Sequence, residues 1–347
     1  MTLLIKRWSL LLLIIPVLLG SSCSSDSNEN SDVVGNWVSR FSFNGEARSE
    51  AVSFTIGNKV YIGTGINDEE DRLTDFWEYD APSNLWRRVR PFPGAARSGA
   101  VAFSISGKGY VGTGYDDDGN RLKDFYEFTP PTSTSDSGAW VKINDFAGSA
   151  RMDATAFSIG NKGYIVSGYD GSFLKDFWEF SPGGGAGGKG EWVERSFPGN
   201  KRRDGVVFLV NNKAYFGTGL NNGIVMTDFW EFDPASGWAR KRDISNASDE
   251  SYDDDYTSIV RSNTSAFTIG SQGYLITGES GTGQDCWSYD PGADLWTKKT
   301  AFEGAPRTGA LGFTVENRGF VMTGRNGSLP NDDLWEFFPD VEQVDND

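Results

Sequence analysis

Six times along the chain an arginine is followed by a phenylalanine six residues later and by a glycine seventeen residues after the arginine. The arginines are Arg48, Arg97, Arg151, Arg202, Arg261 and Arg307, with Phe54, Phe103, Phe157, Phe208, Phe267 and Phe313 at the first offset. Gly65, Gly114, Gly168, Gly219, Gly278 and Gly324 stand at the second. Each copy continues into a block that reads Asp75-Phe76-Trp77-Glu78-Tyr79 in the first copy and Asp285-Cys286-Trp287-Ser288-Tyr289 in the most divergent, the fifth. Successive arginines lie 46 to 59 residues apart. A repeat of that period is one supersecondary unit that cannot bury both of its faces alone and must stack on its neighbours.

Within a copy, a two-residue turn separates two apolar, β-rich runs: Gly57-Asn58, Ser106-Gly107, Gly160-Asn161, Asn211-Asn212, Gly270-Ser271 and Glu316-Asn317. Gly and Asn accept the positive φ of the tight hairpin turns, so each pair predicts a hairpin. The run after the turn carries Tyr61, Tyr110, Tyr164, Tyr215, Tyr274 or Phe320 and ends in the glycine, where a bulge or close backbone approach is expected. Two more short strands follow, one around Trp77 and one around Trp86 in the first copy. Four antiparallel strands per unit predict an all-β, six-bladed propeller over residues 33–340, with 341–347 as an acidic tail. The 43 glycines and the 14% of aromatic residues suit many short strands packed face to face with frequent turns.

These blocks resemble the kelch repeat, and the resemblance runs from Trp37 to Pro339. The kelch pattern has an Arg before the innermost strand, a Gly-Gly doublet closing the second strand, Tyr-Asp-Pro after the third and a Trp in the fourth. Here the doublet is Thr-Gly or Ser-Gly, as in Thr64-Gly65 and Ser167-Gly168, and the chain looks like a bacterial branch of that family. The resemblance implies that the connections into the innermost strand and after the second strand gather around one mouth of a central channel, where ligands bind. By that implication Arg48, Arg97, Arg151, Arg202, Arg261 and Arg307 ring the mouth as ligand contacts. A residue present in every copy is more simply explained by blade construction, for instance through pairing with Glu78, Glu127, Glu179, Glu231 and Glu336.

The sixth copy stops after its third strand, near Phe338-Pro339, with no outer Trp to follow. Trp37 stands eleven residues before Arg48, the same interval as Trp86 to Arg97 and Trp296 to Arg307, with no copy ahead of it. The N-terminal segment is therefore expected to supply the outer strand of the last blade and to remove a free edge.

Residues 1–22 read as a leader: Lys6-Arg7, then an apolar run from Trp8 to Leu19 that is short for a span across about 30 Å of bilayer. Gly20-Ser21-Ser22-Cys23 resembles a lipobox, which marks Cys23 for lipidation, and the polar residues 23–32 read as a flexible tether. The expectation is an exported protein, lipid-anchored in the outer membrane of a Gram-negative bacterium, touching membrane only through that anchor, and a monomer. With Cys23 lipidated, Cys286 has no partner in the chain; it fills a slot held by Phe in four other copies and reads as core.

Without its leader the chain carries 30 basic against 48 acidic residues, a net charge of minus 18 that repels phosphate backbones and excludes nucleic acid as a partner. The chain has no histidine. The copper site of the galactose-oxidase branch of kelch-type propellers needs imidazole ligands and cannot be assembled; Ser-His-Asp triads and the usual zinc hydrolase sites fail likewise. No metal site or cofactor is expected. Gly183–Gly190 falls short of a phosphate-binding loop because no Ser or Thr follows Lys189 and no helical pattern comes after it. Asp116–Asn120 lacks the spacing of a calcium loop and reads as a solvated acidic loop.

Function is expected where the copies differ. After the closing glycines come Ile66-Asn67, Tyr115-Asp116, Tyr169-Asp170, Leu220-Asn221, Glu279-Ser280 and Arg325-Asn326. The interval from Trp238 to Arg261 is twelve residues longer than the usual eleven and carries Tyr252 and Tyr256 among acidic residues. Tyr115, Tyr169, Glu279, Arg325, Tyr252 and Tyr256 are thus candidate ligand contacts, suited to a glycan or a protein partner. The expectation is a non-catalytic binding protein. The alternative is an enzyme resembling the kelch-type sialic-acid mutarotases, with mouth arginines on the sugar carboxylate and a Glu or Asp moving protons.

Overall fold

Each predicted turn forms. In the computed structural model, which describes residues 33–244, 256–279 and 283–345, Ser106-Gly107, Asn211-Asn212 and Glu316-Asn317 have positive φ at both positions. Gly57, Gly160 and Gly270 have it at the first position of their pairs only. The strands pair accordingly, Ile56 opposite Lys59 and Phe54 opposite Tyr61 in the first copy. The leader, Cys23, the tether, Ser280 and residues 245–255, Tyr252 among them, lie outside the described residues.

From the centre outward, blade one consists of β-strands Val52–Ile56, Lys59–Gly63, Phe76–Asp80 and Leu85–Val89, all antiparallel. Blades two to five repeat that order over residues 101–142, 155–195, 206–240 and 265–299. Blade six takes three strands, Thr308–Val315, Arg318–Asn326 and Leu334–Phe338, and borrows its outer strand, Asn36–Arg40, from the start of the chain. Trp37 faces Phe337 across that last pair and is wholly buried. Its ring lies 5.0 Å from Phe302 and 4.6 Å from Phe337, and its Nε1–H donates to the Thr300 carbonyl at 3.3 Å. The six innermost strands pack in sequence around a channel, so the expected six-bladed propeller closed by the N-terminal strand is what forms.

The core lies between blades. Phe54 stacks on Tyr61 at 5.3 Å within blade one and meets Phe128 of blade two at 6.1 Å. It also fills the space above Gly109, where a Cβ would come within 2.2 Å of its ring. Cys286 is fully covered, in line with its reading as core, and burial pushes its thiol up to about 12. Gly183–Gly190 links the third and fourth strands of blade three through a single turn at Ala186–Gly188 and leads into a strand. The acidic tail turns back on the ring: the Val344 N–H donates to the Asn36 Oδ1 at 2.9 Å.

Candidate functional site

The repeated arginines are not at the mouth surface. Each has at most 2% of its surface exposed, and the side-chain donors are already used. Arg48 shows the pattern: Nε donates to the Glu46 carbonyl at 2.8 Å, and Nη1 to the Thr64 carbonyl at 3.0 Å. The same guanidinium grips Asp75 at 2.6 and 2.8 Å. Arg97, Arg151, Arg202 and Arg307 hold Asp124, Asp176, Asp228 and Asp333 in the same way. The expectation of ligand-binding arginines is corrected by this burial, and the expectation of pairing with the repeated glutamates is corrected too. Glu78 faces Tyr61 across the sheet and takes Lys59, Arg87 and the Tyr61 hydroxyl instead. Burial pushes the Asp75 carboxyl up, but the Arg48 hydrogen bonds and charge and the Trp77 N–H outweigh it, and it ends below the usual carboxylate range.

Arg261 departs from the set. Among the described residues its donors reach only carbonyls, of Ser258, Thr277 and Asp285, while the Asp285 carboxylate pairs with Lys298 at 3.2 Å. Burial lowers its guanidinium to about 10.

What the arginines do is set the backbone around the channel. The residue after each arginine pairs with the residue after a closing glycine: Ser49 with Ile66, Ser98 with Tyr115, Met152 with Tyr169, Arg203 with Leu220, Ser262 with Glu279 and Thr308 with Arg325. Each closing glycine donates its N–H to the arginine carbonyl of the next blade, from Gly65 to Arg97 at 2.8 Å through to Gly324 to Arg48 at 2.8 Å. Gly65 has φ of 97°, and a Cβ there would meet the Ser49 carbonyl oxygen at 2.7 Å, so only glycine fits.

Two residues beyond each arginine the chain turns left-handed, at Glu50, Gly99, Asp153, Asp204, Asn263 and Gly309, with φ between 53° and 62°. Five of these N–H groups donate to a backbone carbonyl of the preceding member: Glu50 to Gly309 at 2.9 Å, Gly99 to Glu50 at 3.1 Å, Asp153 to Gly99 at 2.9 Å, Asp204 to Asp153 at 3.0 Å and Asn263 to Asp204 at 3.3 Å. The sixth, Gly309, donates to the Asn263 Oδ1 at 3.1 Å. This ring lines a cavity of about 140 Å³ at the channel mouth and presents Glu50, Asp153, Asp204 and Asn263 to it. The sequence signal was the run of Gly, Asn and Asp at one offset, residue types that tolerate positive φ; Glu50 alone lies outside that set.

Basic side chains close around these acids. Arg203 lies 3.5 Å from Asp153 and 3.2 Å from Asp204, and Arg325 lies 3.4 Å from Glu50. Burial, then the charges of Asp204 and Glu50, push the Asp153 carboxyl well above its usual value. Burial raises Asp204 to about 6 against the pull of Arg203. Tyr115 and Tyr169, expected as ligand contacts, bridge to Ser98 and Met152 beside the ring, and each lies under a guanidinium: Arg72 over Tyr115 at 4.9 Å, Arg121 over Tyr169 at 4.8 Å and Arg203 over Tyr169 at 5.5 Å. Arg72 is fixed by Asp117 at 3.0 Å, while Asp116 closes its own loop by accepting from the Asn120 N–H at 2.7 Å. Glu279 accepts from the Ser262 hydroxyl at 3.3 Å beside Asn263. Glu50, Asp153, Asp204 and Asn263 line the mouth and Arg203 lies against two of them, and the sequence reading selected none of these five.

Tyr256 is not at the mouth. It is buried with Ile244, Ile259 and Trp287, and its hydroxyl accepts from the Trp296 N–H at 3.0 Å. It stands five residues before Arg261, as Phe43, Phe92, Phe146, Phe197 and Phe302 stand before their arginines. Those five rings lie under the arginines at 4.6 to 5.8 Å. Tyr256 is thus the fifth copy's version of a core aromatic, a constant offset that the sequence reading missed.

The solved structure titled "Structure of YjhT" is similar to this chain with a TM-score of 0.66 and 15% identity, over 85% of this chain and 95% of that one. That likeness concerns the fold alone. No curated protein matches the chain in sequence. The profile of the KLHDC2/KLHL20/DRC7 Kelch-repeats domain matches residues 50–250, more than half of the chain. With the six blades and their arginine latches, that match makes the chain a member of the kelch-repeat family.

Proposed function

We propose that the protein is a non-catalytic binding protein of the cell envelope, exported and held to the outer membrane by a lipid on Cys23, whose mouth receives a terminal group of a glycan. The observation that carries this reading is the left-handed ring, which sets Glu50, Asp153, Asp204 and Asn263 around one small cavity with Arg203 against two of them. Sugar hydroxyls both donate and accept, and the cup offers carboxylate acceptors beside amide and guanidinium donors. Its ion pairs leave it without one dominant sign. At about 140 Å³ it is smaller than the roughly 300 Å³ at which pockets enclose a whole small ligand, which suits one end of a longer molecule.

A second reading, a mutarotase-like epimerase acting on sialic acid, is favoured by one observation: the Asp153 and Asp204 carboxyls are both raised, Asp204 to about 6, toward the range in which an acid-base catalyst works. One set of measurements separates the two. The unit of residues 33–347 is applied to a glycan array and, separately, to N-acetylneuraminate with anomer exchange followed by NMR. Retention of a glycan that Asp204→Asn weakens by about tenfold or more, in keeping with about 1.5–3 kcal/mol for a hydrogen bond to a charged group, supports binding. Accelerated exchange lost in Asp153→Asn establishes the epimerase. Retention of an envelope protein without any glycan overturns the glycan reading.

A further inference from the structure

We propose that Arg121, beside the mouth, binds the carboxylate of a hexuronate at the end of the glycan; the inference rests on the glycan reading and names the class of sugar. A motif that blade two completes is left open in blade three. In both, a guanidinium from the preceding blade lies over the tyrosine that follows the closing glycine, Arg72 over Tyr115 at 4.9 Å and Arg121 over Tyr169 at 4.8 Å. Blade two answers its guanidinium: the Asp117 carboxylate, two residues after Tyr115, accepts from the Arg72 Nη1 at 3.0 Å and from the Arg72 backbone N–H at 3.2 Å. Two residues after Tyr169 stands Gly171, with no side chain to offer and a φ of 113° that disfavours one. The place where its Cβ would stand has the Arg121 Nη1 at 4.0 Å and no other atom outside its own stretch of chain within that distance. The neighbouring Asp170 is turned to its own loop, accepting from the Ser172 N–H at 3.0 Å. Among the described residues the Arg121 side chain has no hydrogen-bond or ion-pair partner.

The bond that blade two makes within itself identifies the missing partner as a planar carboxylate, the group that a guanidinium takes through paired N–H donors. The Arg121 Nε is covered, so the contact falls to the terminal Nη groups, of which Nη1 lies nearest the opening at Gly171. A second guanidinium ties this place to the mouth cup: Arg203 lies 5.5 Å from the same Tyr169 ring, and 3.5 and 3.2 Å from Asp153 and Asp204. The Arg121 charge is also felt at Asp153, where with that of Arg203 it opposes the rise of the carboxyl. A ligand that spans both places carries a carboxylate at one edge and, at the other, hydroxyls that donate to the aspartates. A terminal hexuronate has that arrangement. Beyond its carboxylate it bears only hydroxyls, which suits a cup of about 140 Å³ walled by Ala51, Ala100 and Ala154.

The test is a ligand-observed NMR titration of the purified protein with methyl glucuronide and methyl galacturonide, each beside its neutral glucoside or galactoside, which differs only in a hydroxymethyl for the carboxylate. At least one uronide should bind about tenfold or more tighter than its neutral counterpart, in keeping with a hydrogen bond between charged groups. That advantage should vanish in Arg121→Gln and persist in Arg72→Gln, whose guanidinium blade two already answers. Acid and neutral sugars bound alike overturn the carboxylate site and leave the glycan reading standing. An advantage that survives Arg121→Gln overturns the site, as does a preference for N-acetylneuraminate over both uronides. Binding of none of these sugars overturns the hexuronate, whereas the glycan reading falls only with the array. A peptide bound through its free C-terminus and released by amidation, with no sugar bound, overturns both. The comparison of acid with neutral sugar needs only the unaltered protein, and folding of the variants is read from their urea midpoints.

Discussion

A fully covered guanidinium is tolerable only when its charge and its N–H groups are answered, and five of the six repeat arginines meet both demands with one aspartate and two carbonyls. Removing such an arginine strands a carboxylate in a partly desolvated pocket. Arg97→Met should therefore cost about 3–5 kcal/mol in urea unfolding, the range for breaking a buried pair. Arg261, which among the described residues holds carbonyls only, should cost less, about 1–3 kcal/mol for Arg261→Met. Equal losses would show that the aspartates add nothing. The sequence favoured a structural role for these arginines without deciding against ligand contact, and it did not rank their partners, because Asp and Glu recur in every block but the fifth, where only Asp remains, and spacing cannot separate them. Strand register does: Glu78 lies opposite Tyr61 inside the sheet, whereas Asp75 precedes the strand and meets the loop that carries Arg48.

At the scale of elements, hairpins and ring closure were legible because each rests on a local cue, a turn pair or an unmatched Trp at a fixed interval. Trp37→Ala empties a wholly buried aromatic site and unpins the strand that completes blade six, so unfolding in urea should come earlier by about 3–5 kcal/mol. An unchanged midpoint would mean that the closing strand is dispensable. The root of the long insertion was misread for the opposite reason. Tyr amid acidic residues suggests a contact loop, yet Ile244 and Tyr256 divide the work of one core phenylalanine. Ile244 makes the backbone bond to Thr227 that Phe92 makes to Thr74, and Tyr256 gives its ring to Trp287 as Phe43 does to Trp77.

Across the whole molecule, the mouth concentrates the cost of the ring. Three carboxylates are brought together by a backbone that serves closure, and burial raises two of them. Above pH 6 the native state holds an Asp204 charge that the unfolded chain carries more cheaply; below about pH 4 both states are protonated and the penalty is gone. Asp204→Asn should accordingly stabilise the protein at neutral pH by about 1–3 kcal/mol, the gain fading between about pH 6 and pH 4 in thermal or urea unfolding. A gain that does not change with pH would place its origin elsewhere. This site was hidden in the sequence because its members share an offset and a backbone conformation rather than a side chain.

The bond from Gly324 to Arg48 and that from Glu50 to Gly309 match those at the other junctions, so the junction where the chain begins and ends is built like the rest. The six blades consequently have a cyclic order but no first member. Which blade the polypeptide enters first is a property of its covalent thread, whereas the mouth belongs to the circle that the thread completes.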